Sequence, residues 1–188
     1  MGHVIVNQFV SLDGIVTDPD GSAGTPGGGW AFRHGPAPVS GDKFRLGQIL
    51  RNGVMLYGRT TWELLGGLLS RRSDDFSVAM TQMDKVVLST TLTDVSGWAN
   101  SRLADRTVAE LVEAERRDVV VVGSLSVVRA LQAADLVDEY RLMVFPTVVG
   151  SGERLFPADG PTVEFGLTSV DQVGPAVLST YRRSEAAG

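Results

Sequence analysis

The chain contains no cysteine and only two histidines. The first absence excludes a disulfide framework, a thiolate nucleophile and any zinc site with sulfur ligands. His3 and His34 have no partner at helical spacing, so no metal centre is expected and a Ser-His-Asp triad has little support. Positive charge is also short: 17 basic residues face 22 acidic ones, for a net charge of −5. A nucleic-acid partner needs a basic face, so none is expected. No apolar run approaches the ~18 residues that a membrane helix requires. The stretch from Met1 to Phe9 lacks the charged start and long apolar run of a signal peptide, so the expected location is the cytoplasm. What remains is 188 residues, 43% of them hydrophobic. That length predicts a single domain over 1–188 with a core of its own.

Val4 to Val10 is a β-rich run that ends at Asp13-Gly14. Residues 17–29, rich in glycine with two prolines, predict a mobile lid or Ω-loop. Phe44, Leu46, Ile49 and Leu50 follow helical spacing, which predicts a helix over 41–52. Val54 to Tyr57 is a short strand. A helix follows through Leu65 and is expected to stop at Gly66-Gly67. Val86 to Leu88 is another strand. Thr107 to Arg116 reads as a helix with Thr107 as N-cap and Glu110 completing a capping box. The four valines 119–122 predict a strand buried on both faces, and Gly123-Ser124 opens a helix to about Ala134. Strands are expected at Glu139 to Phe145, Val163 to Val170 and Val177 to Arg182, the last two as a hairpin around Gly174-Pro175. Strand and helix alternate in the middle and strands alone follow. The fold class is therefore α/β, with a mixed, mostly parallel sheet and an antiparallel C-terminal edge.

Three strand-to-loop junctions end in Gly, Ser or Thr: LYGRTT at 56–61, VLSTT at 87–91 and VVGSLS at 121–126. Two lead into helices. A helix N-terminus presents unpaired N–H groups, and glycine lets a phosphate approach the backbone. Three such junctions at the carboxyl ends of neighbouring strands make a nucleotide-binding edge. Arg59 adds a guanidinium suited to phosphate; its alternative role is an ion pair with Glu63 at i+4. GSGERL at 150–155 lacks the third glycine of a dinucleotide fingerprint and reads as a loop. Asp18 and Asp20 read as turn formers, and the Arg71, Arg72, Asp74, Asp75 cluster as a solvated face.

These junctions, in this order, resemble dihydrofolate reductase. They more closely resemble the reductase domain of the riboflavin-biosynthesis deaminase-reductase family and its free-standing members. The motifs are VSLDGIV at 10–16, LYGRTTWELL at 56–65, VVLST at 86–90, VVGS at 121–124 and LVDEYRLMVFPTVVGSGERLF at 136–156. The resemblance implies a dihydrofolate-reductase-like three-layer α/β/α fold. It also implies a homodimer and an NADPH-dependent reductase of a small heterocyclic or carbonyl substrate, similar to 5-amino-6-(5-phosphoribosylamino)uracil reductase.

Carried over, the resemblance puts Gly58, Arg59, Thr60 and Thr61 by the cofactor phosphates. Ser89 and Thr90 flank the 2′-phosphate, and Gly123, Ser124, Leu125 and Ser126 lie under the pyrophosphate. Val10, Ser11, Asp13 and Gly14 border the nicotinamide. Trp30 and Asp42 are the candidate substrate residues. Asp42 is also the sole catalytic candidate, by analogy with the acidic residue that hydrogen-bonds the pterin in folate enzymes; its alternative role is a charge at a helix N-terminus. Gly123-Ser124 departs from the Gly-Gly of folate enzymes. The 188 residues hold no cysteine for the zinc site of the family's deaminase half, so no deaminase activity is expected of them. A non-catalytic dimeric protein that binds a nucleotide or small ligand on the same fold is the alternative reading.

Overall fold

The computed structural model describes residues 2–184. Its strands are β1 (Val4–Ser11), β2 (Val54–Gly58), β3 (Asp84–Leu88), β4 (Ser101–Leu103), β5 (Val119–Val122), β6 (Glu139–Phe145), β7 (Phe165–Val173) and β8 (Ala176–Arg183). Its α-helices are α1 (Ile49–Asn52), α2 (Arg59–Leu69), α3 (Asp75–Gln82), α4 (Val108–Ala114) and α5 (Leu125–Ala133). The strands follow the order β4-β3-β2-β5-β1-β6-β8-β7 in one mixed sheet. No helix of the described residues is long and apolar enough to cross a membrane. The backbone contacts divide the chain into two compact units. One comprises the residues up to Val6 with Arg45–Asp138; the other comprises Asn7–Phe44 with the residues from Glu139 onward.

In the first unit, β4-β3-β2-β5 is parallel throughout. All of β2 and the first three valines of β5 are buried, as expected of strands covered on both faces. Helix α2 buries Trp62, Gly66 and Leu69, and α5 buries Val127, Val128 and Leu131. Each such large apolar side chain contributes about 1.5–3 kcal/mol. Helix α4 carries the expected capping box between Thr107 and Glu110. The expected stop of α2 at Gly66-Gly67 is not observed, because Trp98 packs there. A Cβ on Gly66 would lie 3.3 Å from the Trp98 side chain, so this glycine serves close packing rather than termination. The cluster read as a solvated face contains the start of α3, where Asp74 accepts a hydrogen bond from the Ser77 amide. The helix expected over 41–52 shrinks to the four residues of α1. Gly41, Arg45 and Gly47 all take positive φ, and left-handed residues cannot continue a right-handed helix.

In the second unit, β6-β8-β7 is antiparallel. The β7–β8 hairpin turns at Gly174, with φ +59, as the sequence predicts; β7 begins two residues later than expected. Glu139 and Arg182 are cross-strand partners. The Glu139 carboxylate takes bonds from both Arg182 and Arg141 at 2.6 Å. Burial raises its pKa, but these two guanidinium bonds prevail and hold it below the ordinary carboxylate range. The segment expected to be a mobile lid is wound around Asp18, a turn former as predicted. The Asp18 carboxylate accepts from the Ala23 and Thr25 amides and from Thr25 Oγ1 at 2.9–3.0 Å, and its carbonyl accepts from the Gly29 amide.

Candidate active site

Parallel register aligns the three junctions of the first unit. Gly58 stands opposite Leu88, and Leu56 opposite Val121. Arg59, Ser89 and Gly123 are therefore each the first residue beyond the end of one of three adjacent strands. This is the carboxyl edge where open α/β sheets place ligands.

Two of the junctions are stitched together. The Gly58 amide donates to Ser124 Oγ at 3.1 Å, and the Ser124 amide donates to Thr61 Oγ1 at 3.1 Å. Ser124 holds a left-handed conformation, φ 46 and ψ 57, and its hydroxyl makes no bond to its own helix. The hydroxyls of Thr61 and Ser124 each accept one of these amides and so hold the two junctions together. Gly123 has φ +64, and a Cβ there would lie 3.3 Å from Thr61 Cγ2. On Gly58 a Cβ would lie 3.3 Å from Ser126 Oγ. Both glycines keep the two helix starts close. The first amides of α2 and α5 have no intrahelical acceptor.

Around this cradle the side chains of Arg59, Thr60, Thr90 and Ser126 are exposed. None of the four makes a side-chain hydrogen bond or ion pair among the described residues, and the Arg59–Glu63 pair is not formed. Ser89 Oγ closes its own turn by accepting from the Thr91 and Leu92 amides at 3.2 and 3.0 Å. An arginine, three hydroxyls and two helix N-termini form a donor set for phosphate. The residues present fit a dinucleotide cofactor.

The remaining sequence candidates lie in the second unit. Val10 and Ser11 are buried at the end of β1. Gly14, at φ +81, makes the turn after it. Ser11 Oγ donates to Asp13 at 2.6 Å, and the Val149 and Gly150 amides donate to the same carboxylate at 3.1 and 2.7 Å. Arg154 also donates to the Asp13 carbonyl. Asp13 therefore clamps the loop after β6, and its bonds, led by that from Ser11, lower its pKa to about 2. Trp30 is fully buried, with Nε1 donating to the Thr17 carbonyl at 2.8 Å and its ring 5.6 Å edge-on to Phe145. Asp42 is not in a helix, so the helix-dipole reading of its charge falls away. It acts instead on Lys43, whose ammonium it favours. Lys43 was not singled out in the sequence, because helical spacing gave it no distinct face.

The profile of the RibD C-terminal domain matches residues 2–179. The chain is 26% identical over 162 residues to the uncharacterized protein YyaP of Bacillus subtilis (strain 168), covering 82% of this chain and 80% of that one. A crystal structure from Shewanella sp. PV-4, provisionally named a riboflavin biosynthesis protein, superposes with a TM-score of 0.73 at 23% identity, covering 97% and 99% of the two chains. The diaminohydroxyphosphoribosylaminopyrimidine deaminase/5-amino-6-(5-phosphoribosylamino)uracil reductase of Thermotoga maritima superposes with a TM-score of 0.62 at 16% identity. The match covers 97% of this chain and 57% of the Thermotoga chain, so this chain spans little more than half of that protein.

Proposed function

The chain belongs to the RibD C-terminal domain family, and from that premise we propose that it is an NADPH-dependent reductase of a small heterocyclic substrate, working in the cytoplasm. The observation that carries this reading is the stitched pair of helix starts at Gly58–Thr61 and Gly123–Ser126. They sit on adjacent parallel strands beside an exposed, unpaired Arg59. The Thermotoga protein carries a pyrimidine reductase in its name, which supports a pyrimidine or related planar ring as the substrate class.

When bound, reduced nicotinamide supplies the hydride. The chain's own work is to bind and orient. The first amides of α2 and α5 would hold the pyrophosphate, with hydroxyls added by Thr60 and Ser126. Arg59 and Thr90 would hold the 2′-phosphate, where a guanidinium and a hydroxyl suit a dianion. The sequences 58–61 and 89–91 hold no acidic residue, so nothing there favours a free ribose hydroxyl over a phosphate. Ser124 and Thr61 act one step back, fixing the backbone that makes these contacts.

The test is NADPH oxidation against a panel of aminopyrimidines, pterins and quinones. Turnover of a member supports the reading. Tight NADPH binding with no oxidation across the panel would favour the non-catalytic alternative.

A further inference from the structure

In the second unit the ring of Phe9 is only half-buried on β1, although its neighbours Gln8 and Val10 are buried. Three buried aromatics stand behind it. Phe44 lies 5.5 Å away at a 31° tilt, and Phe145 lies 5.2 Å away edge-on. Phe145 also meets Trp30 at 5.6 Å and His34 at 5.8 Å. Phe44, Phe145 and Trp30 are 4% exposed or less, so this packing holds the ring of the half-buried Phe9.

Lys43 stands at this ring. Its Nζ is 5.6 Å from the centroids of both Phe9 and Phe44. A lysine beside apolar surface ordinarily extends its ammonium into water. Here the ammonium turns back over two ring faces, and burial pulls its pKa down to about 8 against the attraction of Asp42. The irregular backbone of 41–48 makes this placement: Gly41, Arg45 and Gly47 in left-handed conformations interrupt the helix that would have carried Lys43 elsewhere.

We propose that Phe9 and Lys43 form the recognition site for a planar heteroaromatic ring bearing an exocyclic oxygen, with the ring lying on Phe9 and the oxygen accepting a hydrogen bond from Lys43 Nζ. A fixed, half-exposed aromatic ring favours an electron-poor planar partner through offset stacking. The ammonium 5.6 Å from its centroid adds a charge-assisted bond to a ring carbonyl, which a purely apolar ligand cannot use. A benzene-like ring gains only the first contact and an aliphatic carbonyl only the second. The inference deepens the reductase reading by naming what selects the substrate, and it rests on that reading for the substrate's place in the reaction. The site itself is defined by Phe9 and Lys43 alone.

The experiment is calorimetric titration of 5-aminouracil, up to millimolar concentration, into the wild type, Lys43→Met, Lys43→Arg and Phe9→Leu. NADPH is titrated separately into each. Wild type binds the probe, Lys43→Met and Phe9→Leu weaken it by about tenfold or more, and Lys43→Arg recovers part of the loss. NADPH affinity stays within about twofold throughout, because neither residue contacts the phosphate cradle in this account. If Lys43 only covers Phe9 with its alkyl stem, Lys43→Met binds the probe like wild type, and the proposal is overturned. Absence of probe binding to wild type overturns it as well. Probe binding that depends on Lys43, in a protein that ignores NADPH, upholds the site and removes the reductase reading instead.

Discussion

The amide of Gly58 donates to the hydroxyl of Ser124 at 3.1 Å, across 66 positions of sequence. The bond is buried and joins the ends of two parallel strands at the point where each turns into a helix. Removing the hydroxyl leaves a buried N–H without an acceptor, which costs about 1–3 kcal/mol. Ser124→Ala should lower unfolding stability by that amount in urea titration. A loss below about 0.5 kcal/mol, the range of an ordinary surface change, would show that the junction does not depend on this bond.

Asp13 plays the corresponding part in the second unit, through the Val149 and Gly150 amides. Its carboxyl titrates near 2, below the ordinary 3.8, chiefly because of the Ser11 hydroxyl bond. A depressed folded pKa means that the clamp is fully present above pH 3.8 and is lost as the pH falls through about 2. Asp13→Ala should accelerate hydrogen exchange at Val149 and Gly150 at neutral pH. Wild type should show the same acceleration only in strong acid. Unchanged exchange in the variant would contradict the clamp.

Lys85 lies in β3 with its ammonium buried. Nζ donates to the carbonyls of Thr81, Met83 and Ala99 at 2.6–2.9 Å, and it stands 4.6 Å from the Trp98 ring. Burial pushes its pKa down to about 8, with Asp84 opposing. Between about pH 8 and the ordinary 10.5, the unfolded chain keeps a proton that folded Lys85 has lost. Stability contributed by this group therefore rises with pH across that window and is level below it. Urea midpoints measured over the window should climb more steeply for wild type than for Lys85→Met. Equal slopes would mean that Lys85 stays charged throughout.

How much of this was legible in the sequence depends on the range of the cause. The Thr107–Glu110 capping box, the valines of β5 and the Gly174 turn are local, and all three are found as the residues predict. The junction at Gly123-Ser124 was legible as a helix start, but the bond from the Gly58 amide to Ser124 was not. That its hydroxyl serves Gly58 depends on strand order, which no local pattern encodes. Gly66-Gly67 misled for the same reason: the residue that needs the space, Trp98, is far along the chain. In 41–52 the apolar spacing of Phe44, Leu46, Ile49 and Leu50 matched a helix, but three left-handed residues made most of it a loop. Spacing records which side chains are buried and not which backbone path buries them. Lys43 was hidden by that error.

Strand β7 stands at the end of the sheet order with seven of its nine residues exposed, Leu167 and Val170 at 56% among them. The apolar run 142–150 buries Met143 and Phe145 and exposes only Val148 among its large hydrophobics. The homodimer that the resemblance implies is expected to meet at β7, the strand at the end of the sheet order, whose unpaired backbone would otherwise invite uncontrolled pairing. Light scattering should give about twice the 20.0 kDa chain mass, and Leu167→Asp with Val170→Asp should return it to one chain. A wild-type mass of one chain at micromolar concentration would rule the dimer out.

The proposed hold on NADPH by the cradle around Arg59 is tested most directly by titration of NADPH and NADH into wild type and Arg59→Ala. Wild type should bind NADPH more tightly than NADH. Loss of one charge-assisted contact to the 2′-phosphate should weaken NADPH by roughly 10- to 150-fold, equivalent to about 1.5–3 kcal/mol, and leave NADH nearly unchanged. Equal affinity of wild type for the two cofactors, or equal weakening of both by Arg59→Ala, would contradict the account.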